Sequence, residues 1–421
     1  MRILHITHQY PPDYIGGVEL YTQTVARAQA VLGHNVAVFT HDADGQNSLH
    51  WRDGDVAIHA VQLAPVSPSR RFLAIFAHGA ATAAFSQLLD QFQPDLVHIQ
   101  HMMGLPAALI TQLTARRIPF VVTLHDFWWG CANAQLLTND TAQICDGPDA
   151  LWFNCTRCAA ARAGAPRPGL AAGLAMPLVS PLMARRAYLL RHVLQKAAHL
   201  IAPTNFVANW HRDHDLAAER LTVLPLGVER PAEIPAREVA AHEPLRFTYI
   251  GSLAWQKGLH VLLQAFKQVQ GQASLWIAGN PETDAAYAQS LQQLADTRVR
   301  FWGQLDRQQV WRTLAQTDMV VAPSLCYESF SLLVHEAFAA GIPVLASRQG
   351  ALAEVVQDGV NGMLAAPGNV AAWRAALQSI VDQPGQLAQL RTGIQEPLTV
   401  DEHVARLMGI YGEVVSGGVE E

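Results

Sequence analysis

Two glutamates eight residues apart, Glu328 and Glu336, sit in the stretch Ala322-Pro-Ser-Leu-Cys-Tyr-Glu328-Ser-Phe-Ser-Leu-Leu-Val-His-Glu336-Ala-Phe-Ala-Ala-Gly341-Ile-Pro343. Its pattern predicts a strand ending near Ser324, a loop carrying Glu328, and a helix from near Ser331 to Ala340. Eight helical residues separate two carboxylates by ~12 Å, well beyond the ~5 Å of a carboxylate pair that attacks one glycosidic bond with retention. The two acids can instead hold opposite ends of an extended ligand. The helix N-terminus between them has free N–H groups that favour phosphate. Carboxylate, anion site and carboxylate suit a sugar, a diphosphate and a ribose. The plainer alternative is a helix-capping acid at Glu328 and a surface acid at Glu336. A second element is Gly251-Ser-Leu-Ala-Trp-Gln-Lys257-Gly258, a turn between a strand and a helix that can approach a phosphate. Lys257 offers it a compact positive charge; alone, it would read as a surface lysine at a helix start.

Alternating strands and helices must position these groups. In the first half, strands are predicted at 2–7, 35–40, 56–62, 96–100, 120–125, 200–203 and 221–226, and an amphipathic helix over 18–31. The pattern restarts with strands at 245–251, 274–279, 299–303, 319–324 and 343–347, and a helix over 257–269. Strands alternating with helices imply doubly wound parallel sheets. The expected fold is α/β, with two Rossmann-like domains facing across a cleft. The expected boundaries are a first domain at 1–228, a polar, proline-containing linker at 229–243, and a second domain at 244–400. A last helix over 401–415 could pack back on the first domain. Ligands of such sheets bind beyond the carboxyl ends of strands, so the loops there carry the functional reading.

At these residues the chain resembles family 4 of the retaining glycosyltransferases, which have the GT-B fold. Glu328 and Glu336 with Gly341-Ile-Pro343 resemble the family's E-x7-E donor motif, and Gly251-Ser-Leu with Lys257-Gly258 its phosphate-binding turn. Pro11-Pro12 with Gly16, Gly17 and Glu19 resembles its N-terminal glycine loop. Thr123-Leu-His125-Asp126 resembles its strand-end histidine. Ala202-Pro-Thr204-Asn-Phe206 and Leu224-Pro-Leu-Gly227-Val228 are further landmarks. The ordered set spans nearly the whole chain, and the resemblance makes 1–228 the acceptor-side domain and 244–400 the nucleotide-sugar-binding domain.

The resemblance implies a donor site made by Gly16, Gly17, Gly251, Ser252, Lys257, Glu328, Ser329, Phe330, Ser331, Leu332 and Glu336. Glu336 would accept from the ribose hydroxyls and Glu328 from the transferred sugar. The amides of Phe330, Ser331 and Leu332 would face the diphosphate. Lys257 would neutralise it, and His125 would lie beside the sugar. With His125, Glu328 and Lys257 as catalytic residues, the implied reaction moves a sugar from a UDP- or GDP-sugar to a hydroxyl of a glycan or lipid-linked acceptor. Anomeric configuration is retained, no cofactor or divalent ion is required, and the setting is polysaccharide, glycan or glycolipid biosynthesis. Two positions depart from the family: Ser252 stands where an arginine is usual, and Ser331 where glycine is frequent. A sugar-nucleotide epimerase on the same fold, or a non-catalytic sugar-nucleotide-binding protein, are the competing readings.

Composition bounds the rest. The 421 residues are 50% hydrophobic and 15% charged, with net charge −6. That supplies a large core and argues against a nucleic-acid partner, which would need a basic excess. Cys131, Cys145, Cys155 and Cys158 cluster in sequence. Four thiolates can hold a structural zinc, but apart from the C-x2-C pair the spacings fit no standard module, and free thiols are the alternative. Asp42-Ala-Asp44 and Asp53-Gly-Asp55 match the short D-x-D pattern of metal-dependent glycosyltransferases, a pattern common by chance. The basic stretch Arg162–Lys196, with Arg167, Arg185, Arg186 and Arg191, reads either as the solvated face of a core helix or as a peripheral membrane contact. The longest apolar run, Leu170–Ala184, is shorter than the ~20 residues of a span. With no signal sequence visible, the expected place is the cytoplasm, with peripheral contact to the inner face of the membrane as the extension.

Overall fold

Short runs of Val, Ile, Leu and Phe, separated by amphipathic helices, build two parallel sheets. The computed structural model describes residues 1–12, 14–42, 50–62, 68–162, 170–216, 220–231 and 244–417. They divide into two units, Met1–Gly227 with Val400–Glu421 and Val228–Thr399.

The first unit holds β1 (Arg2–Ile6), β2 (Asn35–Asp42), β3 (His50–Asp53), β4 (Val56–Gln62), β5 (Leu96–Ile99), β6 (Phe120–Thr123), β7 (His199–Ala202) and β8 (Leu221–Val223). Their order is β3-β4-β2-β1-β5-β6-β7-β8. All pair in parallel except β3, which forms an antiparallel hairpin with β4. β5 and β6 are buried along their whole length, as expected of parallel strands covered on both faces. The second unit holds β9 (Leu245–Ile250), β10 (Ala273–Ala278), β11 (Val299–Gly303), β12 (Met319–Ala322), β13 (Val344–Ser347) and β14 (Gly362–Ala365). This sheet is wholly parallel in the order β11-β10-β9-β12-β13-β14. One apolar layer contains Phe247, Leu262, Phe266 and Trp373, and another Val310, Trp311, Val334 and Phe338.

Strand order reverses between β1 and β5 in the first sheet, and between β9 and β12 in the second. Loops leave in opposite directions on either side of such a reversal and open a crevice at the carboxyl ends. β5, β6 and β12 end earlier than their hydrophobic pattern suggests. The residues beyond them, among them Gln100, His125 and Ser324, leave the ladder and carry the polar side chains of those ends. The helix expected over 257–269 is instead a 3-10 turn, Trp255–Lys257, followed by the helix Leu259–Phe266. The break falls at Gly258, whose φ of +72° is left-handed. A Cβ there would lie 2.0 Å from the Pro323 carbonyl oxygen, so only glycine fits.

The last helix, Val400–Gly417, belongs with the first unit. Its fully buried Tyr411 puts its Oη 2.5 Å from His98 Nδ1, and His403 Nε2 lies 2.7 Å from Tyr21 Oη. Residues 232–243 of the linker expected at 229–243 lie outside the described residues, and Val228–Pro231 fall in the second unit. β3 and β14 were not anticipated, because His50-Trp-Arg-Asp53 and Gly362-Met-Leu-Ala365 lack the branched residues that mark a strand.

Candidate functional site

In the second unit, β12 ends at Ala322 and the loop to the helix Leu332–Ala339 carries Glu328. The loop is braced from two sides. Leu325 N–H donates to the Gln256 carbonyl (2.8 Å), which ties it to the turn Gly251–Gly258. The Gln349 amide donates to the carbonyls of Ser324 (2.9 Å) and Cys326 (3.0 Å). These contacts bring Lys257 Nζ to 2.7 Å from Glu328 Oε1. Ser324 Oγ donates to the same oxygen at 2.5 Å. Burial alone would raise Glu328 and lower Lys257. The pairing outweighs it, so the carboxyl falls below and the ammonium rises above their ordinary values. Both stay charged at neutral pH, and Lys257 keeps about a quarter of its side chain exposed.

The next helix begins at Ser331, which takes a left-handed φ of +64° and makes no side-chain capping bond. That conformation explains why glycine suits this position. With no side-chain cap, the first turn is open to an anion. Phe330 is buried and stacked on His335 (3.7 Å, 7°). His335 is held neutral, with burial lowering its pKa to about 4. Glu336 lies one turn further on, 8% exposed, with Arg307 Nη1 2.6 Å from Oε1. Burial raises its carboxyl, and Arg307 opposes that rise. Ser252 is exposed, with its carbonyl accepting from Tyr249 Oη (2.8 Å); it adds no cation to the turn.

His125, Gly16 and Gly17 belong to the first unit. Gly16 caps the helix Gly17–Val31, with the Glu19 carboxylate folded close to it. His125 is buried, edge-on to Tyr21 (4.8 Å), with Nε2 2.7 Å from Gln100 Oε1. With that carbonyl facing it, Nε2 carries the proton and Nδ1 is left as an acceptor. Burial, and next His101, lower its pKa to about 3, so it is neutral and can hydrogen-bond but does not act as an acid near pH 7. Beside it lie residues outside the expected site. His8 Nε2 is 3.2 Å from Glu19 Oε1, and His101 Nε2 is 3.3 Å from Asp126 Oδ2. The His8 and His101 rings are 4.4 Å apart. Burial alone would raise Asp126, but His101 outweighs it and the carboxyl is lowered. His8 and His101 follow β1 and β5, the two strands at the order reversal. Position after those strands is the signal that could have marked them.

The other sequence candidates have plainer roles. Asp53 accepts from Tyr10, Gln23 and Arg27 (2.8, 3.0 and 3.0 Å) and fastens the β3–β4 turn; Asp44 lies outside the described residues. Arg186 is not part of a surface basic face. It is buried, donates to the Trp128 carbonyl and lies 4.8 Å over that indole. Arg167 lies outside the described residues. Cys131, Cys145, Cys155 and Cys158 are free, part-buried thiols. Burial, and next the neighbouring sulfurs, push Cys155 up to about 12, and Cys158 accepts from Asn139 Nδ2 (3.3 Å). Among the described residues no three metal-ligating side chains are arranged to hold an ion. No described helix is long and apolar enough to cross a membrane.

Known proteins resemble the chain over the same two units. Residues 15–230 match the family model described as Glycosyltransferase Family 4, and residues 244–383 that described as Glycosyl transferases group 1. A glycogen synthase of Mycobacterium tuberculosis is 25% identical over 95% of this chain and 91% of its own. A D-inositol 3-phosphate glycosyltransferase of Catenulispora acidiphila is 25% identical over 96% and 92%. Among solved structures, sucrose-phosphate synthase from Thermosynechococcus elongatus superposes with a TM-score of 0.75 at 19% identity, covering 99% of both chains. Anabaena HepE, solved with UDP and glucose, has a TM-score of 0.65 at 18% identity, covering 97% of this chain and 100% of that one. These two structures share the fold.

Proposed function

Because the chain belongs to glycosyltransferase family 4, we propose that it transfers a sugar from a nucleoside-diphosphate sugar to an acceptor hydroxyl with retention at the anomeric carbon and without a divalent ion. One observation carries this reading: around the helix start at Ser331, which lacks a side-chain cap, the part-buried Glu328 and the buried Glu336 are each held by a cation. On this reading Lys257 and the first-turn N–H groups neutralise the diphosphate as the C1–O bond breaks, which is preorganised charge stabilisation of a leaving group. The acceptor oxygen bonds to C1 on the same face, and its proton passes to the departing diphosphate. Glu328 accepts from the transferred sugar, and the neutral His125 offers Nδ1 to a hydroxyl. Glu19, in the first turn of the helix Gly17–Val31, and Asp126, just after β6, each beside an imidazole, suit a polyhydroxylated acceptor such as a glycan or the head of a lipid-linked one.

The test is incubation with UDP-, GDP- and ADP-sugars, with and without acceptor pools and with a chelator. The expected result is acceptor-dependent release of nucleoside diphosphate, insensitive to the chelator, with anomeric retention by NMR. Isomerised donor without acceptor would instead favour an epimerase, and binding without turnover a non-catalytic protein.

A further inference from the structure

Glu336 is an ionisable group in an apolar place. Its helix packs Val334, Ala337 and Phe338 into a layer with Val310 and Trp311, and the carboxylate itself is 8% exposed. Two charged groups face it. Arg307 reaches Oε1 at 2.6 Å, and Glu229 lies on the far side of the same guanidinium, 3.8 Å from Arg307 Nε. The backbone of Arg307 is fixed by its helix start. Arg307 is the first residue of the helix Arg307–Leu314, whose start is closed by a capping box: Gln309 N–H donates to Asp306 Oδ1 (2.7 Å), and Asp306 N–H to Gln309 Oε1 (2.9 Å). The guanidinium takes one carboxylate oxygen, Oε1, and the other can accept a further hydrogen bond.

We propose that Arg307 is the positioning residue for the nucleoside end of the donor: it keeps Glu336 ionised and aims its second oxygen at the ribose diol. The inference rests on the donor-site reading above and adds the group that makes a buried acid usable as a diol acceptor. A neutral carboxyl at that place offers a donor to the diol where two hydroxyl donors need an acceptor. Removing Arg307 leaves burial and Glu229 acting together, and both push the Glu336 proton on.

The experiment is calorimetry of UDP, GDP and ADP with the full chain. The tightest binder and its 2′-deoxy analogue are then carried through pH 5.5 to 8.5 for wild type, Arg307→Gln, Arg307→Lys and Glu336→Gln. Thermal melts verify that each variant is folded. Wild type is expected to bind with little pH dependence and to prefer the ribonucleotide. Arg307→Gln is expected to lose affinity as pH falls, approaching about tenfold per pH unit below the raised Glu336 pKa, and to lose the ribose preference over the same range. Arg307→Lys restores both, which a merely structural arginine would not require. A folded Arg307→Gln with the wild-type pH profile and ribose preference overturns the inference while the donor site stands. If no nucleotide binds wild type, the donor-site reading fails, and this inference with it. If Glu336→Gln binds like wild type, the ribose assignment fails on its own.

Discussion

Lys257 and Glu328 stabilise one another as charges only because each is withdrawn from water beside the other. The pair therefore has a chemical cost when broken on either side. Replacing Lys257 by alanine leaves a part-buried carboxylate without its cation, and removes the positive charge that the proposed mechanism sets against the departing diphosphate. Lys257→Ala should lower turnover by about a hundredfold or more, the scale of losing one preorganised charge contact, while the fold persists by circular dichroism. Turnover within about threefold of wild type would remove Lys257 from the proposed mechanism. Type and spacing drew attention to these residues in the sequence, as an acid pair too far apart for one bond, a helix start and a lysine after a glycine turn, but each had a plainer reading, and it was the resemblance to the family that gave them roles. Arg307 was not legible that way. It lies 29 positions before Glu336, in a helix whose sequence reads as an ordinary capped start.

Two residues with left-handed backbone shape the Glu328 loop, and they suit it unequally. Gly258 takes φ +72° beneath the Pro323 carbonyl, where glycine is required. Ser331 takes φ +64°, where glycine would be easier. A left-handed side-chain residue costs about 1–2 kcal/mol, partly offset by the greater unfolded-chain entropy of glycine. Ser331→Gly should therefore stabilise the chain by up to about 1 kcal/mol in urea unfolding, and an unchanged or lower midpoint would contradict the strain. Gly258→Ala should destabilise by more than about 1 kcal/mol and weaken nucleotide binding, since the Cβ must push the turn away from the Glu328 loop. Loop-forming residues at 251–258 were recognisable by glycine content. The break in the helix that follows was not, because Lys257–Val269 has continuous helical periodicity and only the approach of Pro323 interrupts it.

At the scale of the molecule, the first unit carries a buried polar network. Gln100 donates to His5 (3.1 Å) and His98 (3.0 Å), and Gln29 Oε1 lies 2.8 Å from His5 Nε2. The last helix enters it through Tyr411 and His403. Burial lowers His5 to about 4, His125 to about 3, His211 to about 4 and His403 to about 4. These imidazoles are neutral when folded, while unfolded ones protonate near pH 6.5. Between those values the unfolded chain binds more protons, so stability is fully present above about pH 6.5 and falls as pH drops toward 4, by up to about 1.4 kcal/mol per pH unit for each histidine. Urea midpoints that decline steeply from pH 6.5 to 5 are expected; a flat profile would mean that these histidines charge without unfolding. Deleting residues 400–421 should lower the melting temperature of the first unit, because it removes the buried Val404, Leu407 and Tyr411 and leaves His98 and Tyr21 without hydrogen-bond partners from that helix.

Periodicity is a local property, and it was sufficient for two parallel α/β domains, while the ordered motifs carried the resemblance to the family. Which residues became neighbours depended on packing. The order reversal between β1 and β5 put His8 and His101 side by side, although 93 positions separate them. The last helix joins the first unit through Tyr411 and His403, whose partners His98 and Tyr21 come together only in the folded unit. Glu336 met a cation because Arg307 arrived from another element. The opening pair thus divides cleanly. The spacing of Glu328 and Glu336 already excluded joint attack on one bond and allowed two ends of one extended ligand, whereas the cation beside each acid is a property of the tertiary structure, since desolvation and pairing exist only once distant elements enclose the same carboxylate.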